Sequence, residues 1–260
     1  MLPCGAWPIG RPTRSVGLVT LFRVRFLPGD QLMRAVVFDF FGTLTAAVRR
    51  GPRHAEIARQ LGCDPDAFVA ELDRTFYLRA AGGYGSELDG LRRVAYAAGG
   101  RPTLGQLTEA VAARIEAVYA DTVLRPEAVP VLSGLRRRGL PVAVVSDCWY
   151  ELPAFLSRLA VAPYLDAHVF SVRVGRCKPH PAMYLEACRQ LRVDPDECLY
   201  VGDGGSRELS GAHAVGMAAV RLAAPDLAGH LVFRGDPDFS GPVIGSLTEV
   251  LAMVDAAAAA

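Results

Sequence analysis

From Arg34 onward the chain alternates short, continuously apolar runs with segments of helical periodicity, and this alternation constrains the fold more than any other feature. The runs are RAVVFDF, PVAVVSD, HVFSVRVG, CLYVGDG and MAAVRLA. An antiparallel strand with one wet face alternates apolar with polar residues. An unbroken apolar run is expected of a strand covered on both faces, as in a parallel sheet. The segments between them, AVPVLSGLRRRG, ELPAFLSRLA, PAMYLEACRQLRV and SRELSGAHAVG, carry apolar residues at helical spacing, and SLTEVLAMVDA closes the chain as a helix. The expected fold is α/β: a doubly wound, Rossmann-like parallel sheet with its site at the carboxyl ends of the strands.

One block breaks the alternation. Residues 46–127 read as helical throughout, in AEIARQLG, DAFVAELDRTFYLRA and LTEAVAARIEAVYADTVL, interrupted by the glycine-rich AGGYGSELDG. The block falls between the first two strands, so it is expected as a small helical cap inserted after the first strand. Residues 33–45 and 128–260 would form the core. Residues 1–32, rich in Pro, Gly and Arg, lack the long apolar region and cleavage site of a signal peptide. They are read as a poorly structured, dispensable extension, with Met33 a candidate start just before the first strand.

Composition narrows the function. Hydrophobic residues are 51% of the 260, and the formal charge is +1 with both signs mixed along the chain. That balance offers no footprint for nucleic acid or an anionic membrane, which leaves a small molecule as the expected partner. No apolar run approaches the about 20 residues of a membrane helix. The six cysteines show no CxxC pair or metal-ligand spacing, as expected of reduced thiols in a cytoplasmic protein. Nothing in the sequence sets the oligomeric state. Of 28 basic residues only Lys178 is a lysine, and asparagine is absent, which points to a GC-biased genome that replaces Lys with Arg. A lysine that persists there is expected where a compact ammonium is needed and a planar guanidinium will not serve.

Lys178 lies in GRCKPHP, and three other reactive groups lie at strand ends. Asp39 closes the first strand in FDFFGTLT, Ser146 the second in VAVVSD, and Asp203 a later one in YVGDGGSREL. Two acids, a hydroxyl and an ammonium converging on one crevice suit the binding of a phosphate with a divalent cation and attack on it by a carboxylate.

FDFFGTLT, VVSD, KPHP and GDGGSRELSGA, in this order, resemble the four motifs of the haloacid dehalogenase superfamily, over residues 33 to about 255. LRPEAVPVLSGLRRRGLPVAVVSD and GAHAVGM resemble wording common in its phosphatase-like members. The resemblance implies a hydrolase in which Asp39 is the nucleophile and forms an aspartyl-phosphate that water hydrolyses. It implies that Ser146 hydrogen-bonds a phosphate oxygen and that Lys178 neutralises charge on nucleophile and phosphate. Mg²⁺ would be held by Asp39, the Phe41 carbonyl and Asp203. Glu208, where the family often has a second aspartate, would reach the metal directly or through water. Phe40, Phe41 and Asp147 stand beside these residues as candidates for substrate contact. Arg79 and Tyr84 flank the glycine-rich loop of the cap and are candidates too, with a hinge or surface turn as the alternative. His180 and Arg207, also beside motifs, are read as solvated loop residues.

One departure matters. Many phosphatases of this superfamily carry a second aspartate two residues after the nucleophile to protonate the leaving group, and here that position is Phe41. Either the leaving group needs no acid, or the cap supplies one, or the chemistry is different. Haloacid dehalogenases have an aromatic residue there and use no metal, but they also use asparagines, which this chain lacks. Phosphoryl hydrolysis is the expectation, with dehalogenation or a silent metabolite-binding module as alternatives.

Overall fold

The computed structural model describes residues 33–228 and 234–258. The readings of residues 1–32 and of Cys4 therefore lie outside the described residues. Six parallel strands, β1 (Ala35–Phe38), β2 (Val142–Ser146), β3 (Ala167–Phe170), β4 (Cys198–Gly202), β5 (Ala218–Leu222) and β6 (Val243–Ile244), form one sheet in the order β3-β2-β1-β4-β5-β6. Helices α1 (Arg53–Gln60), α2 (Pro65–Arg74), α3 (Phe76–Ala80), α4 (Glu87–Ala97) and α5 (Leu104–Asp121) all fall between β1 and β2. After them come α6 (Ala128–Arg137), α7 (Glu151–Phe155), α8 (Ser171–Val174), α9 (Pro181–Leu191), α10 (Glu208–Ala214) and α11 (Glu249–Ala258).

Why the strands read as unbroken apolar runs is plain in the packing. Successive side chains of a strand point to opposite faces. Val36 and Phe38 of β1, Val142 and Val144 of β2, and Leu199 and Val201 of β4 enter one core, closed by α6 and α11. Ala35, Val37, Ala143, Val145, Cys198 and Tyr200 enter the other, closed by α9 and α10. Both faces are dry, so neither can carry polar residues without cost.

The α1–α5 insertion has a third core of its own, built on Ile57, Leu61, Phe68, Leu72, Leu91, Val94 and Leu107. Trp149, from the loop after β2, packs into it. Its entry and exit are tied by a Thr45–Leu124 bridge and by an Ala46 amide to Val123 carbonyl hydrogen bond of 2.8 Å.

Two local expectations are corrected and one strand is added. HVFSVRVG is strand only to Phe170; Ser171–Val174 is a helical turn. The Ser171 hydroxyl donates to the Cys148 carbonyl at 3.1 Å and accepts from its amide at 2.9 Å, which draws the chain out of the sheet. The glycine-rich break ends earlier than read, because Ser86 caps a helix by accepting from the Asp89 amide at 3.1 Å. The edge strand β6, in GPVIGS, has two residues and gives no periodic signal.

Gly90 stands inside α4, where a glycine usually costs helix stability. A Cβ there would land on the Trp149 indole. Gly90→Ala is therefore expected to destabilise the protein by about 1–3 kcal/mol despite its better helix propensity. Urea unfolding monitored by tryptophan fluorescence measures it, and an unchanged or raised midpoint would show that the indole can move away.

Candidate active site

β1 lies between β2 and β4, so the residues at the carboxyl ends of three adjacent strands meet. Asp39 follows β1 directly, Ser146 ends β2 and Asp203 follows β4. The Asp39 amide continues the ladder by donating to the Val201 carbonyl at 2.9 Å, which fixes where its side chain starts. A tight turn over Phe40–Leu44 returns the chain, and the Thr43 hydroxyl donates to Asp39 Oδ2 at 3.1 Å. Arg125 pins this turn from beneath, donating to the Gly42 and Thr43 carbonyls at 2.9 and 3.0 Å while pairing with Asp226 at 2.6 Å.

Lys178 enters from the loop before α9. Its Nζ lies 2.5 Å from Asp39 Oδ1 and 2.6 Å from Glu208 Oε2. Asp147 Oδ1 holds the Lys178 backbone by accepting from its amide at 3.0 Å. Glu208, at the start of α10, is fully engaged: Oε2 also accepts from Tyr200 at 2.9 Å, and Oε1 from the Gly204 amide at 2.9 Å. Gly202 makes room for this, since a Cβ on it would collide with the Glu208 carboxyl. Asp203 Oδ1 accepts from the Gly205 amide at 2.8 Å.

Asp39, Asp203 and Glu208 bring carboxylate oxygens within 4.8 Å of one another, and one ammonium lies among them. Burial pushes the Asp39 carboxyl above its usual range, against the pull of Lys178, and Asp203 adds to the rise. Burial and the Asp39 charge likewise hold Glu208 well above the carboxylate range. Burial works against the Lys178 ammonium, but Asp39 and Glu208 outweigh it and keep its pKa well above that of a free lysine. Burial is the larger cause for the two acids, and the crowding of three carboxylates around one cation adds to it, so the cluster holds excess negative charge that protons relieve. A hard divalent cation with oxygen ligands fits that excess. In the lining of the same cavity, the Ser146 hydroxyl and Asp147 Oδ2 are buried without a hydrogen-bond partner among the described residues.

These groups floor a cavity of about 190 Å³ whose far wall comes from the insertion and the loop after β2. Phe41, Arg79, Ser146 and Asp147 line it beside the cluster. Two other candidates do not. Phe40 is wholly buried in the core between sheet and helices, because the turn sends it inward and Phe41 outward. Tyr84 packs on the insertion core under the Arg93 guanidinium, 5.4 Å from its ring centroid, and is not among the residues that line the cavity. His180 caps α9, accepting from the Ala182 amide at 3.2 Å. Arg207 pairs with Asp238 at the surface.

Sequence reading missed His54, Arg114, Trp149 and Glu151 on the cavity wall. One signal was available. In α5 the buried stripe runs Leu107, Ala110, Arg114, Ala117, so an arginine takes a position that the helical period reserves for an apolar residue. Arg114 reaches across to Glu151 at 2.5 Å, with Nη1 left unpartnered, and His54 Nε2 meets Asp121 at 2.8 Å.

A carboxylate at the carboxyl end of β1 is thus held against a buried lysine, with further acids beside it. A sequence profile of haloacid dehalogenase-like hydrolases matches residues 33–216, and the chain belongs to that family of hydrolases. It is 30% identical over 203 residues to glyceraldehyde 3-phosphate phosphatase of Methanopyrus kandleri, covering 74% of this chain and 84% of that protein. It is 35% identical over 95 residues to haloacid dehalogenase-like hydrolase domain-containing protein 3 of Bos taurus, covering 36% of this chain and 38% of that one. Among solved structures, 2-haloacid dehalogenase from Pseudomonas syringae pv. Tomato superposes with TM-score 0.62 at 21% identity, covering 86% of this chain and 99% of that one. A phosphatase from Thermococcus onnurineus superposes at 0.58 with 22% identity, covering 85% and 98%. At these identities the likeness is one of fold.

Proposed function

We propose that the protein is a Mg²⁺-dependent phosphatase of a small phosphorylated metabolite, acting through an aspartyl-phosphate on Asp39, with α1–α5 as a cap over the site. The observation that carries this reading is the single ammonium of Lys178 beside three clustered carboxylates, two of them buried, an arrangement that asks for a cation and offers a nucleophile. Asp39, Asp203 and the Phe41 carbonyl would hold the metal, with Glu208 as the positioning carboxylate for Lys178. When bound, Mg²⁺ supplies charge to offset the phosphoryl oxygens and the excess carboxylate. A carboxylate oxygen of Asp39 forms a bond to phosphorus as the ester oxygen leaves, and water then attacks the phosphorus to release phosphate and restore the carboxylate. Lys178 and the spare Ser146 hydroxyl donate to the phosphoryl oxygens and are held in place before substrate arrives. Dehalogenation would use the same nucleophile but would leave the acidic cluster without a role.

A panel of phosphorylated metabolites and haloacids, assayed with and without Mg²⁺, tests the reading. Metal-dependent phosphate release is expected, and halide release without metal would overturn it. Phe41 makes a further demand. It cannot donate a proton, so the rate should rise steeply as the leaving-group pKa falls. Aryl or acyl phosphates should outrun alkyl phosphates by up to the about 10²–10⁴ that a general acid supplies. A flat dependence across substituted phenyl and alkyl phosphates would mean that the insertion provides an acid.

A further inference from the structure

Among the basic side chains that line the cavity, Arg79 alone has no carboxylate in ion-pair contact among the described residues. Arg50 pairs with Asp73, Arg114 with Glu151 at 2.5 Å, and His54 with Asp121 at 2.8 Å. Only 4% of Arg79 is exposed. Its Nε donates to Thr75 Oγ1 at 3.2 Å and its Nη2 to the Leu72 carbonyl at 2.6 Å, so the neighbours that hold it are neutral. Its guanidinium lies 4.6 Å from the Trp149 ring centroid, and that of Arg114 lies 5.8 Å from the same centroid. Both cations therefore flank one indole on the wall of the cavity that Asp39 floors. A buried charge without a counter-ion is costly, and so is a buried donor without an acceptor. Arg79 is the first and Arg114 Nη1 the second.

We propose that this wall is the specificity site for the leaving group, and that the substrate is a phosphate ester whose alcohol carries a carboxylate, bound by Arg79 and Arg114 beside Trp149. The inference rests on the phosphatase reading and names its substrate class. One uncompensated cation with one spare donor matches one singly charged, planar acceptor, which a carboxylate is. A second phosphate would bring a second negative charge that nothing on the wall balances. Burial and the neighbouring Arg114 push the Arg79 pKa down to about 10 despite the upward pull of Glu151, and a bound carboxylate would oppose that push. The guanidinium remains charged at neutral pH either way.

The test uses the full chain with Mg²⁺ and a series of ω-carboxyalkyl phosphates of two to four carbons, each against the n-alkyl phosphate of equal length. At one chain length or more, kcat/KM for the carboxylated ester should exceed that of its partner by about tenfold or more. Arg79→Gln should bring that ratio towards one, and Arg79→Lys should retain part of it. Ratios near one at every length, with alkyl phosphates still hydrolysed, would overturn the inference and leave the phosphatase reading standing. If no phosphate ester is turned over, the phosphatase reading fails. Calorimetric binding of the same pairs then decides the wall separately. Tighter binding of the carboxylated member supports it, and equal or absent binding overturns it.

Discussion

Asp39→Asn should lower kcat by more than about 10³-fold while leaving the fold intact. The amide keeps the shape of the carboxyl, and the Thr43 hydroxyl can still donate to its oxygen. What disappears is the nucleophilic charge. A second consequence is less usual. Because Asp39 adds to the charge that lifts Glu208, its neutralisation leaves two carboxylates, Asp203 and Glu208, to share the Lys178 ammonium in place of three. The metal-free variant should therefore melt at or above the temperature of the wild type. Circular dichroism melts in chelator read this directly. A melting point several degrees lower would mean that the Asp39–Lys178 contact outweighs the crowding of the three acids.

Lys178→Arg should be almost as damaging, although it conserves charge. Lys178 is 4% exposed as a residue, and its ammonium fits between Asp39 and Glu208 at 2.5 and 2.6 Å, with the Val145 carbonyl and the Tyr200 hydroxyl each at 3.5 Å. A planar guanidinium is larger in two dimensions and has no space there. Forcing it in is expected to cost about 1–3 kcal/mol of stability, and losing a fixed donor to the phosphoryl oxygens about 10²-fold or more in kcat/KM. Steady-state kinetics beside a urea titration separate the two effects. Near-normal kinetics would remove the argument built on the one lysine of the chain.

The parts of the site that sequence disclosed are those fixed by strand ends. Asp39, Ser146 and Asp203 were legible because a buried parallel strand shows as an apolar run, and the residue that ends it marks the mouth of the sheet. Lys178 was legible through composition. Of the cavity wall only Arg79 was singled out, because His54, Arg114, Trp149 and Glu151 come from separate segments and meet through the packing of the insertion. Phe40 and Phe41 looked alike in sequence. Only the turn after β1 decides that the first is core and the second faces the cavity. The strand misread at Ser171–Val174 has the same cause: the hydroxyl that bends the chain binds Cys148, which is distant in sequence.

The covalent intermediate is the centre of the account, and it can be caught. Enzyme mixed with a turned-over phosphate ester and Mg²⁺ in oxygen-18 water, quenched in acid within one turnover, can be digested with pepsin and weighed by mass spectrometry. The account predicts one added phosphoryl group on the peptide containing Asp39, with oxygen-18 appearing later in the released phosphate and none in the Asp39 carboxyl. Phosphate released at full rate with that peptide never modified, or oxygen-18 incorporated into Asp39 itself, would contradict it.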